Sequence, residues 1–247
     1  MSSYAAISDD FYINMNLATE MELPRSRESV LHYFEQMRRR FPGLKNFYSR
    51  EGNEYVLEED KEGGNYRWTS LEPKRVNSGI VNPESFEDAV AQHQSVLEIV
   101  PFDLSITPLD CESLSVMFGF DFACRGNHNE VLAKAIGIPT GLQSFAALPY
   151  GSLLSHEPSL QFSLGEDCRT QCRVSFESRT NAYQVRTGEF GEEQLSVYLT
   201  VRRYESLANE ANFVTEFRRL ADLARDLVDE HLMSHVLQPL QEAIAIN

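Results

Sequence analysis

Five residues in the second half of the chain have side chains suited to binding an anion. Arg173, Glu177, Arg179, Tyr198 and Arg202 fall in segments where every second residue is apolar, so they share the opposite face of the predicted strands. Guanidinium groups match the oxygens of carboxylate or phosphate, and Glu177 is placed to neutralise one arginine. We interpret this set as a site for a small anionic ligand. Ordinary cross-strand ion pairs are the alternative.

The loop at residues 147–158 is a second candidate site. It has no regular apolar pattern and contains Tyr150, His156 and Glu157. Long loops on a rigid scaffold often carry function, and a carboxylate beside an imidazole can orient it for acid-base chemistry. The sequence lacks the full nucleophile motif Gly-x-Ser-x-Gly. The alternative is a loop that packs its leucines on the core.

Two histidines are spaced four residues apart in the predicted C-terminal helix. His231 and His235 therefore share a helical face, as metal ligands often do. The metalloprotease signature needs Glu directly after the first histidine, where Leu232 stands, and the sequence offers no obvious third ligand. Histidines near a helix end also stabilise its dipole. We therefore predict neither a metal nor another cofactor.

A strict alternation organises the strands that position these residues. In residues 114–124 and 195–204, every second residue is apolar, and the residues between are mostly small or polar. This period predicts an antiparallel sheet with helices on its apolar face only. The polar face is rich in Ser, Thr, Asn, Gly and Gln rather than Lys and Glu. We expect another surface to cover it: a second sheet, a second subunit or a ligand. A plain solvated face is the alternative.

The element order predicts an α+β protein of two lobes. In the first lobe, residues 1–109, strands are expected at 11–23, 48–59, 66–71 and 102–108, and helices at 27–41 and 82–100. The resulting order, β-α-β-β-α-β, is that of the ferredoxin-like arrangement. Asn82 is the expected cap of the second helix, and Trp68 is expected in the core.

For the second lobe, residues 110–247, the sequence predicts the order β-α-β-β-β-α. Strands are expected at 114–124, 160–164, 172–185 and 195–204, a short helix at 127–136 and a long one at 212–237. The two halves form either separate lobes or one compact unit.

The amino-acid composition and net charge make some classes of binding partner unfavourable. The 247 residues include 22 Lys and Arg against 37 Asp and Glu, a net charge of −15, which disfavours nucleic acid and anionic membranes. No apolar stretch is long enough to span a bilayer, and the first residues lack a secretory pattern, so we expect a cytoplasmic location.

These patterns favour a non-catalytic binding or interaction protein. Its polar sheet faces would hold a small anionic ligand or a second copy of the chain. The alternative is an enzyme of the α+β-barrel kind with the 147–158 loop at its active site. A third hypothesis is that the chain is a structural protein whose acidic surface binds a partner.

Overall fold

The protein has an α+β fold built on one large antiparallel sheet. The computed structural model describes residues 3–24, 26–149, 151–208 and 212–246. The strands are β1 (Asp10–Thr19), β2 (Asn46–Arg50), β3 (Glu54–Glu58), β4 (Tyr66–Glu72), β5 (Arg75–Val81), β6 (Cys111–Arg125), β7 (Ser159–Ser163), β8 (Thr170–Glu177) and β9 (Glu192–Tyr204). They form a nine-stranded sheet in the order β2-β3-β4-β5-β1-β6-β9-β8-β7.

Helices bury the apolar face of this sheet. They are α1 (Arg27–Arg40), α2 (Phe86–Asp103), α3 (His128–Ile136), α4 (Gln143–Ala146), α5 (Ala182–Thr187), α6 (Phe213–Leu227) and α7 (Gln238–Ala245). A π-helical segment, Val228–Leu237, joins α6 to α7. α1, α2, α3, α6 and α7 all contribute to the core cluster. Within the described residues, no helix combines the length and apolar composition needed to cross a membrane.

The predicted alternation of the central strands is confirmed. Phe118 and Phe120 on β6 and Val197 on β9 are fully buried, and Ile13 on β1 is 1% exposed. β1, β6 and β9 are adjacent in the sheet, and their apolar residues pair across the strands. Because side chains alternate between faces, this burial fixes all the intervening residues on the opposite face.

Polar side chains cap several of the helices, and at one helix the cap is not the predicted residue. Ser26 accepts the backbone N–H of Ser29 at the start of α1, and Asn127 caps α3. α2 differs, because its cap is Ser85 and not Asn82. Asn82 has φ of 48° and accepts the N–H of Phe11, so it ties the end of β5 to β1 instead.

The ferredoxin-like order of the first half is not confirmed. The strand expected at 102–108 was wrong, because α2 continues through Pro101 to Asp103 and closes with a bond from the Leu104 N–H to the Val100 carbonyl. β5 was not anticipated, and the segment 48–59 contains both β2 and β3. The observed order of α-helices and strands in the described part of residues 1–109 is β-α-β-β-β-β-α.

The second half agrees better with the sequence. β6, β7, β8, β9 and α3 are confirmed. The strand expected at 172–185 ends at Glu177, because the Asn181 side chain accepts two backbone N–H groups and starts α5. Both halves belong to a single sheet, since β1 pairs with β6 along its length. The division at residue 109 stays a prediction.

A buried polar network joins α2 to the sheet. The Ser78 hydroxyl lies 2.8 Å from Nδ1 of His93 and accepts a bond of 3.1 Å from the Gln92 amide. The other ring nitrogen of His93 lies 3.1 Å from the carbonyl oxygen of Ile13 and therefore donates to it. All three side chains are fully buried. Burial lowers the pKa of His93 from 6.5 to about 3.

This network predicts a loss of stability in acid. Between about pH 6.5 and pH 3, His93 takes up a proton in the unfolded chain but not in the folded one, so the free energy of unfolding falls as the pH falls. We expect His93→Gln to flatten this part of the profile, measured by urea unfolding at a series of pH values. An unchanged slope in the variant would show that other groups cause it.

Candidate functional site

The register of the strands turns the polar face into ordered rows. One row crosses six strands without a break, because each residue is the direct partner of the next. From β4 to β8 it contains Trp68, Gly79, Asn14, Met117, Thr200 and Arg173. Trp68 therefore lies on the polar face, half-buried, and its expected place in the core was wrong. Thr69, the next residue of β4, points to the helices instead, and its hydroxyl bonds to that of Tyr33.

A groove of about 470 Å³ opens on this face above the strands of the second half and β1. Its walls combine guanidinium, amide, hydroxyl and aromatic groups. They are contributed by Tyr12, Met117, Gln161, Gln171, Arg173, Ser175, Tyr198, Thr200, Arg202 and Tyr204. Three of the five predicted ligand residues, Arg173, Tyr198 and Arg202, thus line one groove. The volume lies within the range of small-molecule sites.

The two arginines of the groove have neutral partners. Nε of Arg173 donates to the Ser159 hydroxyl at 3.0 Å. Arg202 contacts the Tyr204 hydroxyl at 3.4 Å and packs over its ring, while its Nε is buried without a partner in the described part of the chain. Among the ion pairs between described residues, none includes either arginine. Both guanidinium groups therefore retain capacity for an anion.

Glu177 and Arg179 stand beside the groove. Their side chains approach to 3.7 Å, and Arg179 also donates to the Ser196 hydroxyl at 3.0 Å. The Tyr198 hydroxyl donates to Glu177 at 2.5 Å. Glu177 is the last residue of β8 and Arg179 lies just beyond it, so this ion pair is formed within one segment of the chain and not between strands. Glu177 thus acts on the groove through Tyr198 and does not neutralise Arg173 or Arg202.

A partly buried acid, Asp121, lies next to one residue of the groove wall. The Tyr12 hydroxyl donates to Asp121 at 3.3 Å. Burial raises the pKa of Asp121 above its usual range, although Ser196, Arg179 and Tyr12 oppose the shift. Burial, with Asp121 nearby, also raises the pKa of Tyr12. Asp121 is therefore linked to the groove through the hydroxyl of Tyr12.

The sequence did not identify Tyr12, Met117 or Gln171 as site residues. Tyr12 and Met117 are on the predicted polar face, so the alternation carries part of the signal, whereas Gln171 precedes the strand predicted at 172–185. Their convergence depends on the order and register of β1, β6, β9 and β8, which the sequence does not reveal.

Two glycines support aromatic rings on the polar face. A Cβ atom at Gly119 would overlap the ring of Tyr12, and one at Gly79 would overlap the indole of Trp68. These rings therefore lie flat against the backbone of the neighbouring strand. Because Gly119 has no side chain, the Tyr12 ring has room beside it, and this ring forms part of the groove wall.

The loop candidates lie away from the groove. His156 donates its backbone N–H to Asn129 and places Nε2 3.2 Å from the Gly137 carbonyl, while Glu157 accepts the N–H of Ser178. His156 lines a separate cleft of about 710 Å³ beside α3. Tyr150 lies outside the described residues.

His231 and His235 fall in the π-helical segment, where both are exposed and Nδ1 of His235 lies 3.1 Å from the carbonyl of His231. In the part of the chain that the structure describes, no group of three His, Cys, Asp or Glu residues is placed to hold a metal ion.

Fold and groove together define an antiparallel α+β protein whose sheet carries helices on its apolar face and a polar groove on the other. Comparison with known protein families found no family model that matches the chain. Comparison with curated proteins found no match either.

The contact between Gly119 and Tyr12 gives a test of this architecture. We expect Gly119→Ala to lower the free energy of unfolding by about 1–3 kcal/mol, because the added methyl group displaces the ring. In a Tyr12→Ala background, the same substitution is expected to cost little. Gly141→Ala is the control, since nothing lies within 4 Å of its added Cβ. Equal costs in both backgrounds, measured by urea unfolding, would contradict the packing described.

Proposed function

We propose that this protein binds a small organic anion, a carboxylate or a phosphate, in the groove on the polar face of its sheet. The observation that carries the proposal is the state of Arg173 and Arg202. Both face the groove, and neither is paired with a carboxylate among the described residues. In a chain of net charge −15, acidic partners for arginine are abundant. Two arginines that lack them on one groove therefore favour an external anion.

The spacing of the arginines fits one ligand. Arg173 is the direct partner of Thr200, and Arg202 is the direct partner of Gln171, so the arginines are diagonal neighbours on β8 and β9. Such positions lie about 7–8 Å apart in a sheet, close enough for both side chains to reach one anionic group. The buried Nε of Arg202 adds to this argument, because an unsatisfied buried donor is costly until a ligand accepts its hydrogen bond.

The remaining walls indicate the body of the ligand. Tyr12 and Tyr198 present aromatic surface, and Gln161, Gln171 and Thr200 offer amide and hydroxyl groups. A ligand with an anionic group and a flat or hydroxylated body matches both kinds of wall. His156 and Glu157, the residues of the enzyme alternative, hold backbone groups elsewhere. Because these two side chains are already hydrogen-bonded to backbone groups outside the groove, we favour binding over catalysis.

Thermal shift assays with inorganic phosphate, citrate and benzoate test the proposal. We expect at least one of these anions to stabilise the wild type. In Arg173→Ala and in Arg202→Ala the affinity should fall about tenfold or more, because a charged hydrogen bond contributes about 1.5–3 kcal/mol. Arg186→Ala, an exposed arginine on α5, is the matched control and should retain the effect.

Native mass spectrometry of the protein from its own cells supplies a second readout. A retained species that disappears in the double arginine variant would support the groove as its site. Stabilisation that persists in both single variants would place anion binding elsewhere on the molecule.

A further inference from the structure

The two edges of the sheet are built differently. At one edge, β2 ends in Arg50, and its Phe47 packs edge-to-face against Phe34 and stacks on Tyr55. At the other edge, β7 reads Ser-Leu-Gln-Phe-Ser and has no charged residue. Charged side chains commonly protect edge strands against pairing with other chains, and β7 lacks them.

The backbone of β7 has a defined set of outward-facing groups. The Leu164 N–H donates to the Thr170 carbonyl at 2.8 Å, which sets the phase of the β7–β8 ladder. Because hydrogen-bonded pairs alternate along an antiparallel ladder, Leu160 and Phe162 bond to β8. The N–H and C=O groups of Ser159, Gln161 and Ser163 therefore point away from the sheet. The bond from the Tyr204 N–H to the Arg169 carbonyl gives the same phase on the other side of β8.

The side chains of β7 are nearly symmetric about Gln161. Serine stands two residues away on each side, and a large apolar residue stands one residue away on each side. If a second copy pairs antiparallel about a two-fold axis at Gln161, serine meets serine, and Leu160 meets Phe162 of the partner subunit. Six outward backbone hydrogen bonds form, two for each of three hydrogen-bonded pairs.

The same pairing buries apolar surface that is now exposed. Leu160 is 60% exposed and Phe162 is 52% exposed, and both point to the apolar side of the sheet beside half-buried Val174. In the paired strands these side chains lie opposite each other in the closer, non-hydrogen-bonded positions.

The charge of the protein restricts where a second copy can pair with it. Two chains of net charge −15 repel each other, and the repulsion is weakest where the contact strand is neutral. We propose that the protein forms a two-fold dimer by antiparallel pairing of β7 with β7 of a second copy. Because Gln161 also lines the groove, the dimer places the two grooves side by side on one continuous polar face.

Oligomeric state tests the dimer directly. Native mass spectrometry and light scattering of the full chain should show a dimer whose fraction rises with concentration, and Phe162→Lys should be monomeric at the same concentrations. Phe102→Lys, at an 84% exposed phenylalanine on α2, should dimerise like the wild type. A wild type that stays monomeric, or a Phe162→Lys variant that still dimerises, would overturn the proposal.

Cysteine cross-linking tests the register and does not require any variant to lose the dimer. The background is Cys168→Ser, which removes the exposed native thiol. In Gln161→Cys, the two introduced residues face each other with Cα atoms about 5.5 Å apart. In Ser159→Cys, they are offset by four residues on opposite strands, about 14 Å.

A short thiol cross-linker should therefore link Gln161→Cys dimers and leave Ser159→Cys unlinked. Equal linking of both variants, or linking of neither, would overturn the two-fold pairing. Because this readout needs no anion, it separates the dimer from anion binding in the groove.

Discussion

The two-residue period of the central strands is the constraint on which the rest of the structure depends. β6 and β9 have 15 and 13 residues, and β1 lies against β6 on its other side. A slip of one residue in either ladder would carry a row of Phe, Leu and Val to the open face. The burial of these residues thus holds the register. The register in turn decides which polar residues meet, and Arg202 faces the groove because Val201 must face the core.

The two halves of the sheet meet their helices by different physical means. Under β6 and β9 the contact is almost wholly apolar, as with Phe118 against the helices. Under β4 and β5 it is mixed: Leu71, Val76 and Ile80 belong to the apolar core, while Thr69 and Ser78 point inward and bond to Tyr33 and His93. Apolar contacts are tolerant of small shifts, whereas a buried polar network is stable only when every group is satisfied. The packing of the first half therefore depends more strongly on the exact positions of its side chains.

This difference explains how much the sequence could predict. Where packing is apolar, alternation is visible, and β6, β7 and β9 could be predicted from it. β5 was not predicted, since its inward residues include the polar Ser78, whose partners His93 and Gln92 come from α2, 15 and 14 residues further along the chain. Trp68 appeared to be a core residue by its size. It lies on the open face because Gly79, its partner across the ladder, leaves room for the indole there.

The set of residues that line the groove shows the same limit of prediction from the sequence alone. Alternation put Arg173, Tyr198 and Arg202 on one face, but only strand order brings Tyr12 from the other half of the chain to join them. Glu177 and Arg179 lie at and just beyond the end of β8, where they pair with each other beside the groove. Residue types and spacing thus predicted the chemistry of the face, and pairing between distant strands decided which of its members share a site.

The charge of the whole protein sets a condition on any anion that enters this groove. A net charge of −15 repels small anions at long range, and that repulsion is screened by salt over about 10 Å at 0.1 M. The proposed binding would therefore depend on short-range contacts in the groove, where the Nε of Arg202 is already removed from water. Such contacts select by geometry more than by charge, because any anion feels the repulsion but only a matching one satisfies the buried donor. An acidic surface around a desolvated arginine thus favours selectivity over affinity.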